Sequence, residues 1–459
     1  MKPSRYRFIL YPVATVFTLF MLSASCQPVP PTGGPAIVST VSPPTPIATN
    51  CRRGSLADAT EIVIGVIYPL SDPSIMTIGF AMQAATNLAL ADINAQASFK
   101  DKPVRLIVYD SGASPEQGAL FAERLATIDC VAAIVGVFHS TVALAVKKVA
   151  VRYHIPVVFA DPYADEVTAD HAAEIFRIAP TRTMLAQIMG QWMEEVGDYN
   201  QDGEILLALV VENSLYGSMR GELVQQWMPT YSIQPEVFTI DLPTTDFSPL
   251  IARIVALDKL PDVVFAYLHN GDNVLLLRQL LAAGIGPTGS TLLVTTASAL
   301  DETRFWDQVP DGVYTIVTQV GPSPSTVTTM GQHFADTYHQ YFNRWPEATA
   351  FEAYDVLWLM TNAIQRAGTL NPDDVIHALE KTDIELASGY YYFPYNSTNP
   401  PDGEIIPNYM WHQWPNPPIL YLQYAKAGQS RRDAPVIWPP TYQTVTGPLA
   451  PELQSIRSR

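Results

Sequence analysis

From Glu61 to Thr296 the chain alternates between short β-branched runs and longer segments whose apolar residues recur at helical spacing. Glu61–Tyr68 is apolar over the length of a buried strand, and Phe80–Asn94 follows with Phe80, Ala84, Leu88 and Ala91 on one helix face. Val104–Tyr109 predicts the next strand. Ser114-Pro115-Glu116-Gln117 then has the form of a capped helix start, with Ser as N-cap, Pro in the first helical position and Gln closing a capping box. Val131–Val135, a helix from Ser140 to Tyr153 and Ile155–Ala160 complete this series. A second series opens after Pro180. It predicts helix Met184–Val196, strand Ile205–Val211, helix Tyr216–Met228 and strand Gln234–Ile240. Helix Phe247–Leu257, strand Asp262–Tyr267, helix Asn273–Ala283 and strand Leu292–Thr296 follow. Strands alternating with helices make a parallel sheet covered on both faces. The expected fold class is therefore α/β, with two doubly wound parallel-sheet lobes. Open α/β sheets take ligands beyond the carboxyl ends of their strands, so two such sheets place a ligand cleft between the lobes.

The last third is less regular. Thr329–Phe342, Ala348–Ala367 and Pro372–Lys381 predict helices returning to the first lobe. Tyr390–Tyr395, Asn408–Trp414 and Ile419–Tyr424 predict antiparallel strands returning to the second. Lobe 1 is thus expected over residues 59–180 with 319–386, and lobe 2 over 181–318 with 387–430. Residues 431–459, with Pro435, Pro439, Pro440, Pro448 and Pro451, read as a C-terminal tail. Hinges are expected near Ala179–Thr181, Thr296–Ala299 and Leu386–Tyr390.

The N-terminus reads as an address. Lys2, Arg5 and Arg7 precede an apolar stretch from Phe8 to Leu22, broken by Pro12, that ends in Ser23-Ala24-Ser25-Cys26. This has the form of a secretory signal over residues 1–25, with an apolar run too short to read first as a spanning helix. Cys26 after small residues resembles a lipobox and is the expected lipidation site, although Ser23 stands where leucine is usual. Residues 26–58 are a Pro- and Thr-rich tether, extended and semi-rigid, suited to holding a domain off a membrane. The expected location is the outer face of the cytoplasmic membrane or the periplasm, with a lipid as the sole membrane attachment.

Composition agrees with an exported globular chain. At 459 residues, 48% hydrophobic and 15% charged, it is too long for one ordinary core and too apolar for disorder. A net charge of −17 repels phosphate backbones and argues against nucleic acid as a partner. With Cys26 taken by lipid, Cys51 and Cys130 remain. They precede the first and third strands, neighbours in a sheet of order 2-1-3, so a disulfide between them and two unpaired thiols are both open. No Gly-x-Ser-x-Gly elbow, His-Glu-x-x-His or Walker loop occurs, and the eight histidines show no metal-ligand spacing. His139 adjoins Ser140, but neighbouring residues rarely face one another as nucleophile and base. The expectation is a binding protein without cofactor or metal, not an enzyme.

The landmarks resemble those of the leucine/isoleucine/valine-binding protein family. Ile64-Gly65-Val66-Ile67-Tyr68-Pro69-Leu70-Ser71 is similar to that family's opening strand and turn, with Asp72 where glycine is usual. Asp92-Ile93-Asn94, Val108-Tyr109-Asp110 with Ser114-Pro115-Glu116-Gln117, Phe176-Arg177, Tyr216-Gly217, Asp246-Phe247-Ser248, Leu277-Arg278-Gln279 and Ala353-Tyr354-Asp355 follow in order. The similarity runs from about Glu61 to Thr382. It implies a type I periplasmic binding protein, the monomeric solute-capturing component of an importer with ABC permease and ATPase subunits as partners. A lipoprotein that feeds a separate sensor is the alternative. The resemblance also implies site residues. Ser140 falls where the family offers a hydroxyl and backbone N–H groups to a ligand carboxylate, with His139 and Thr141 beside it and Ser71 in the first turn. A helix starting there favours an anion. Asp161 and Tyr163 fall on the positions after the fourth strand, Tyr216 on the lobe-2 tyrosine, and His269 near a second aromatic position. Ala297 and Ser298 stand where amino-acid binders place a carboxylate for the ligand's ammonium. A buried ammonium without a counter-charge costs several kcal/mol in order of magnitude. Either Asp161 supplies that charge from the other lobe, or the ligand is not an α-amino acid.

Overall fold

The computed structural model describes Cys51 and residues 54–99, 101–268, 272–297, 302–403 and 405–445, without the side chains of Leu215, Tyr216, Glu302, Thr303 and Arg304. The signal segment, Cys26, most of the tether, His269 and Ser298 lie outside the described residues.

Lobe 1 is built from β1 (Ile62–Tyr68), α1 (Met76–Ala95), β2 (Val104–Asp110), α2 (Pro115–Thr127), β3 (Ala133–Gly136), α3 (Ser140–Tyr153), β4 (Val157–Phe159) and β5 (Ile175–Arg177). Its five strands are parallel, in the order β2-β1-β3-β4-β5. The central strands are apolar on both faces because helices cover both. Ile64, Val66 and Tyr68 face the core under α1, while Ile67 and Ile134 face that under α2 and α3. Each such side chain contributes about 1.5–3 kcal/mol by leaving water. Gly65 admits α2 to close range, since a Cβ there would stand 2.6 Å from Leu125 Cδ1. Ser114 caps α2 and Pro115 follows it, as the spacing predicts; the Ser114 hydroxyl accepts the Gln117 N–H at 3.2 Å.

Lobe 2 continues with α4 (Arg182–Val196), β6 (Leu206–Glu212), α5 (Leu215–Trp227), β7 (Gln234–Ile240), α6 (Ser248–Val255), β8 (Val263–Tyr267), α7 (Asp272–Ala282), β9 (Leu292–Thr296), α8 (Glu302–Gln308) and β10 (Ile316–Val320). The chain then forms α9 (Thr329–Phe342), α10 (Ala348–Ala367), α11 (Pro372–Glu380), the hairpin β11 (Asp383–Glu385) and β12 (Tyr390–Tyr392), and finally β13 (Ile419–Gln423) and β14 (Val436–Trp438). The second sheet has the order β14-β13-β10-β9-β8-β6-β7, parallel from β7 to β10 and antiparallel at β13 and β14.

The chain crosses between the sheets three times. The first crossing lies between Arg177 and Arg182, the stretch that contains Ala179–Thr181. The second does not fall at Thr296–Ala299. After β9 the chain makes α8 and returns as β10, parallel to β9 with Ile316 opposite Val294, so it leaves lobe 2 only beyond Val320. Nor does the third fall at Leu386–Tyr390. Buried Asp355 on α10 accepts the N–H groups of Ala387 and Ser388 and the Tyr391 hydroxyl at 2.8–2.9 Å. Leu386, Ala387, Tyr391, Phe393 and Trp414 accordingly pack into the lobe-1 core. Residues 387–414, expected in lobe 2, therefore fold onto lobe 1, and the crossing follows Trp414. Asn408–Trp414 is a 3-10 turn and an extended stretch, not a strand of the second sheet. The start of the expected tail supplies the edge strand β14.

Arg177 fastens two of these crossings together. It is fully buried, and its guanidinium donates to Gln413 Oε1 at 2.6 Å, to the carbonyls of Pro162 and Ala164, and to Thr168 Oγ1 at 2.9 Å. Gln413 Nε2 donates in turn to the Ala179 carbonyl at 2.8 Å. Cys51 and Cys130 form a disulfide with a Cα–Cα distance of 5.2 Å. It ties the segment before β1 to the turn before β3.

Candidate ligand-binding site

In both lobes the strands point their carboxyl ends toward the same interlobe region. In lobe 1 the turn after β3 and the loop after β4 meet there. The Ser140 hydroxyl accepts the N–H groups of Tyr163 and Ala164, both at 3.1 Å, which fixes the β4 loop on the first residue of α3. Both its lone pairs are thereby engaged, and its own proton remains to be donated. Ser140 is not the helix cap; His139 holds that position and makes no side-chain capping bond. The α3 N-terminus keeps free N–H groups and the positive end of its dipole. His139 is half-buried edge-on to Phe138, its Nδ1 without a hydrogen-bond partner. Burial pulls its pKa down, against the opposing pull of Asp72, so the ring is neutral near pH 7.

Asp161 follows β4 and is 9% exposed. Its carboxyl lies within hydrogen-bonding reach of Glu352, a buried side chain on α10, with the Tyr163 phenol alongside. Asp161 Oδ1 and Glu352 Oε2 are buried and meet no N–H or hydroxyl donor. Two anions in that position would repel, so a proton joins them. Burial pushes Asp161 up to about 7, and burial with the neighbouring Asp161 and Asp355 charges pushes Glu352 well above the usual carboxylate range. At neutral pH and below, this corner offers acid protons in place of negative charge.

Lobe 2 contributes the ends of β6, β8 and β9. Gly217 allows α5 to start tightly against β6, since a Cβ there would sit 2.0 Å from the Glu212 carbonyl oxygen. One turn on, Arg220 lies with its guanidinium carbon 4.7 Å from the centroid of the Tyr267 ring. Tyr267 ends β8 and is close enough to Tyr163 of lobe 1 to help hold that phenol neutral. The lobes also touch where the Arg182 N–H donates to the Tyr163 carbonyl at 2.8 Å and the Arg182 guanidinium pairs with Glu166 at 2.8 Å. Beside the second crossing a groove of about 550 Å³, lined among others by Ile78, Gln319, Tyr338, Trp345 and Arg432, separates the lobes. It is bridged by Arg431 with Glu347 at 2.8 Å and contains none of the residues expected to bind ligand.

Of those residues, the structure brings together His139, Ser140, Asp161 and Tyr163. Ser71 sits in an exposed turn whose backbone is held by Asp110, and Thr141 is exposed on the second residue of α3. The Ala297 carbonyl accepts a bond from Arg431 at 3.1 Å, and its side chain packs on the lobe-2 core. The Tyr216 side chain and His269 lie outside the described residues. Sequence reasoning missed Glu352, Arg220 and Tyr267. Glu352 carried a readable signal, an acid between Phe351 and Ala353 in a largely apolar helix. Arg220 stands four residues after Tyr216, on the same helix face. Among the described residues no helix is long and apolar enough to cross a membrane.

Residues 61–415 match the model of a family described as periplasmic binding protein. A Leu/Ile/Val-binding protein homolog of Brucella suis is 24% identical over 365 residues, covering 75% of this chain and 88% of the relative. The structure of the branched-chain amino acid transporter substrate-binding protein LivJ from Streptococcus pneumoniae, in complex with isoleucine, superposes with a TM-score of 0.63 at 19% identity, covering 83% of this chain and all of that one. A solute-binding protein of an ABC transporter from R. palustris, in complex with benzoate, gives 0.61 at 16% identity, over 84% of this chain and all of that one.

Proposed function

Because the chain belongs to the periplasmic binding protein family, in its branched-chain amino acid-binding group, we propose that it is the extracytoplasmic solute-binding component of an ABC importer. It captures a small carboxylate-bearing solute between its lobes and delivers it to the permease. The fold is that of the type I periplasmic binding proteins. The observation that carries the reading is the disposition of Ser140. With two N–H groups already accepted, its hydroxyl has a proton to give, at a helix N-terminus that favours an anion. The Asp161–Glu352 corner beside it adds acid protons, which suit a ligand's oxygen acceptors. Ser140, His139, Asp161, Glu352 and Tyr163 are the proposed lobe-1 contacts, with Tyr267 opposite them on lobe 2. Cys26 is the proposed lipid anchor.

Closure would pivot about the three crossings, where Arg177 and Gln413 keep two of the strands in step. Small-angle scattering on the purified chain with and without isoleucine, butyrate, succinate or benzoate tests this. Binding of at least one of them is expected to reduce the radius of gyration. Binding without compaction defeats the hinge-closure reading; no binding by any of them defeats the carboxylate reading.

A further inference from the structure

Three cations among the described residues have less than a tenth of their surface exposed, and two of them are well provided for. Lys147 pairs with Asp170 at 2.5 Å and donates to the Glu166 carbonyl at 2.7 Å. Arg177 donates to carbonyl, amide and hydroxyl oxygens around the first crossing. Arg220 is 8% exposed and donates to no acceptor among the described residues, and its Nε is wholly enclosed. It lies on the face of Tyr267, which stabilises a cation but satisfies none of its five N–H groups, and the Tyr421 phenol is also near it. A buried guanidinium nitrogen without an acceptor is costly, and the terminal nitrogens beside it remain open to an acceptor.

The placement says where that anion comes from. Arg220 is near the N-terminus of α5, and Tyr267 is the last residue of β8, so both belong to the carboxyl edge of the lobe-2 sheet. Tyr267, on which Arg220 lies, is near enough to Tyr163 of lobe 1 to raise its pKa. On the lobe-1 side the groups around Asp161 are acids, phenols and a serine hydroxyl, and no lobe-1 carboxylate pairs with Arg220. Ala297 stands on the same edge of lobe 2, where an ammonium would need a carboxylate. At this edge lobe 2 presents the Arg220 cation, with the acids Glu212 and Asp272 near one another on the same edge.

We propose that Arg220, laid on Tyr267, is the lobe-2 seat for a second anionic group, and that the solute is a dicarboxylate. One carboxylate sits at Ser140 and the start of α3, and the other forms a bidentate pair with the Arg220 guanidinium. This rests on the lobe-1 carboxylate reading given above and adds the other end of the ligand. The closed cleft excludes water from the Arg220 pair, which is the condition under which such a pair discriminates strongly against a ligand lacking the second charge.

Titration calorimetry on the full chain, freed of bound solute by unfolding and refolding, tests the assignment. The probes are malonate, succinate, glutarate, adipate and terephthalate, each against the monocarboxylate of matching length or ring, together with isoleucine. At least one dicarboxylate is expected to bind about 10- to 100-fold more tightly than its partner. Arg220→Gln is expected to bring that ratio to about one while the monocarboxylate still binds, and Arg220→Lys to retain part of it. A purely structural role for Arg220 would weaken both ligands alike and leave the ratio standing. The proposal is overturned if no dicarboxylate outcompetes its monocarboxylate, or if the ratio survives in Arg220→Gln. If that happens while butyrate, benzoate or isoleucine binds and Ser140→Ala weakens it, the lobe-1 reading stands and this one alone fails. If none of the probes binds, both fail.

Discussion

Asp161→Asn is the substitution whose effect is best bounded by the structure. In the native state the Asp161 carboxyl keeps its proton up to about pH 7, because burial disfavours the carboxylate. In the unfolded chain an aspartate loses it near pH 4. Between those values the folded protein holds a proton that the unfolded protein has released, so stability falls as pH rises through that window. At 1.36 kcal/mol per pH unit, the wild type loses roughly 3 kcal/mol from this group between pH 5 and pH 8, almost all of it below pH 7. Asparagine has the same shape and no charge to bury, so the variant escapes the loss. Near pH 5 the two proteins are expected to be similarly stable; at pH 8 the variant is expected to lead by roughly 3 kcal/mol, which is about 5 °C in melting temperature for a chain of this size. Calorimetric melting of both proteins at pH 5, 6, 7 and 8 measures the difference directly, and shifts from titrating groups away from this corner cancel in it. Tyr163, Glu352 and Asp355 all face this corner, so adding Glu352→Gln should flatten the remaining slope. Parallel pH profiles for wild type and Asp161→Asn would refute the shared-proton account.

Two further outcomes follow from the same coordinates. Cys130→Ser opens a link between residues 79 apart and should cost about 4.5 kcal/mol on the chain-entropy account, seen as a fall in melting temperature that dithiothreitol reproduces in the wild type but not in the variant. Ser140→Ala removes both the donor to the ligand and the acceptor for Tyr163 and Ala164, so affinity for whichever carboxylate probe binds should fall by about tenfold or more in calorimetry. An unchanged Kd would remove Ser140 from the site.

Much of the architecture is local and was therefore readable. A β-branched run such as Ile62–Tyr68 is buried on both faces whichever helices cover it, and the capped start at Ser114 forms from its own four residues. The order of these elements already implied two sheets and a cleft, and the positions of Cys51 and Cys130 before neighbouring strands made their bond possible. Ser140, Asp161 and Tyr163 were expected from the family resemblance alone, which assigns roles to positions just beyond the third and fourth strands.

What the sequence left undecided depends on partners distant in the chain. Tyr390–Tyr395 reads as strand, but its lobe was settled by buried Asp355, which draws in the backbone around residue 388 to satisfy its charge. Asp161 alone suggests an anion for an ammonium; only its burial against α10, where Glu352 arrives 191 positions later, keeps a proton on the pair. Arg220 reads as an ordinary helix-surface arginine until the sheet closes over it and leaves it on Tyr267 without a counter-charge. Periodicity reports which face of an element is buried. The charge a buried group carries is set by what the fold brings against it.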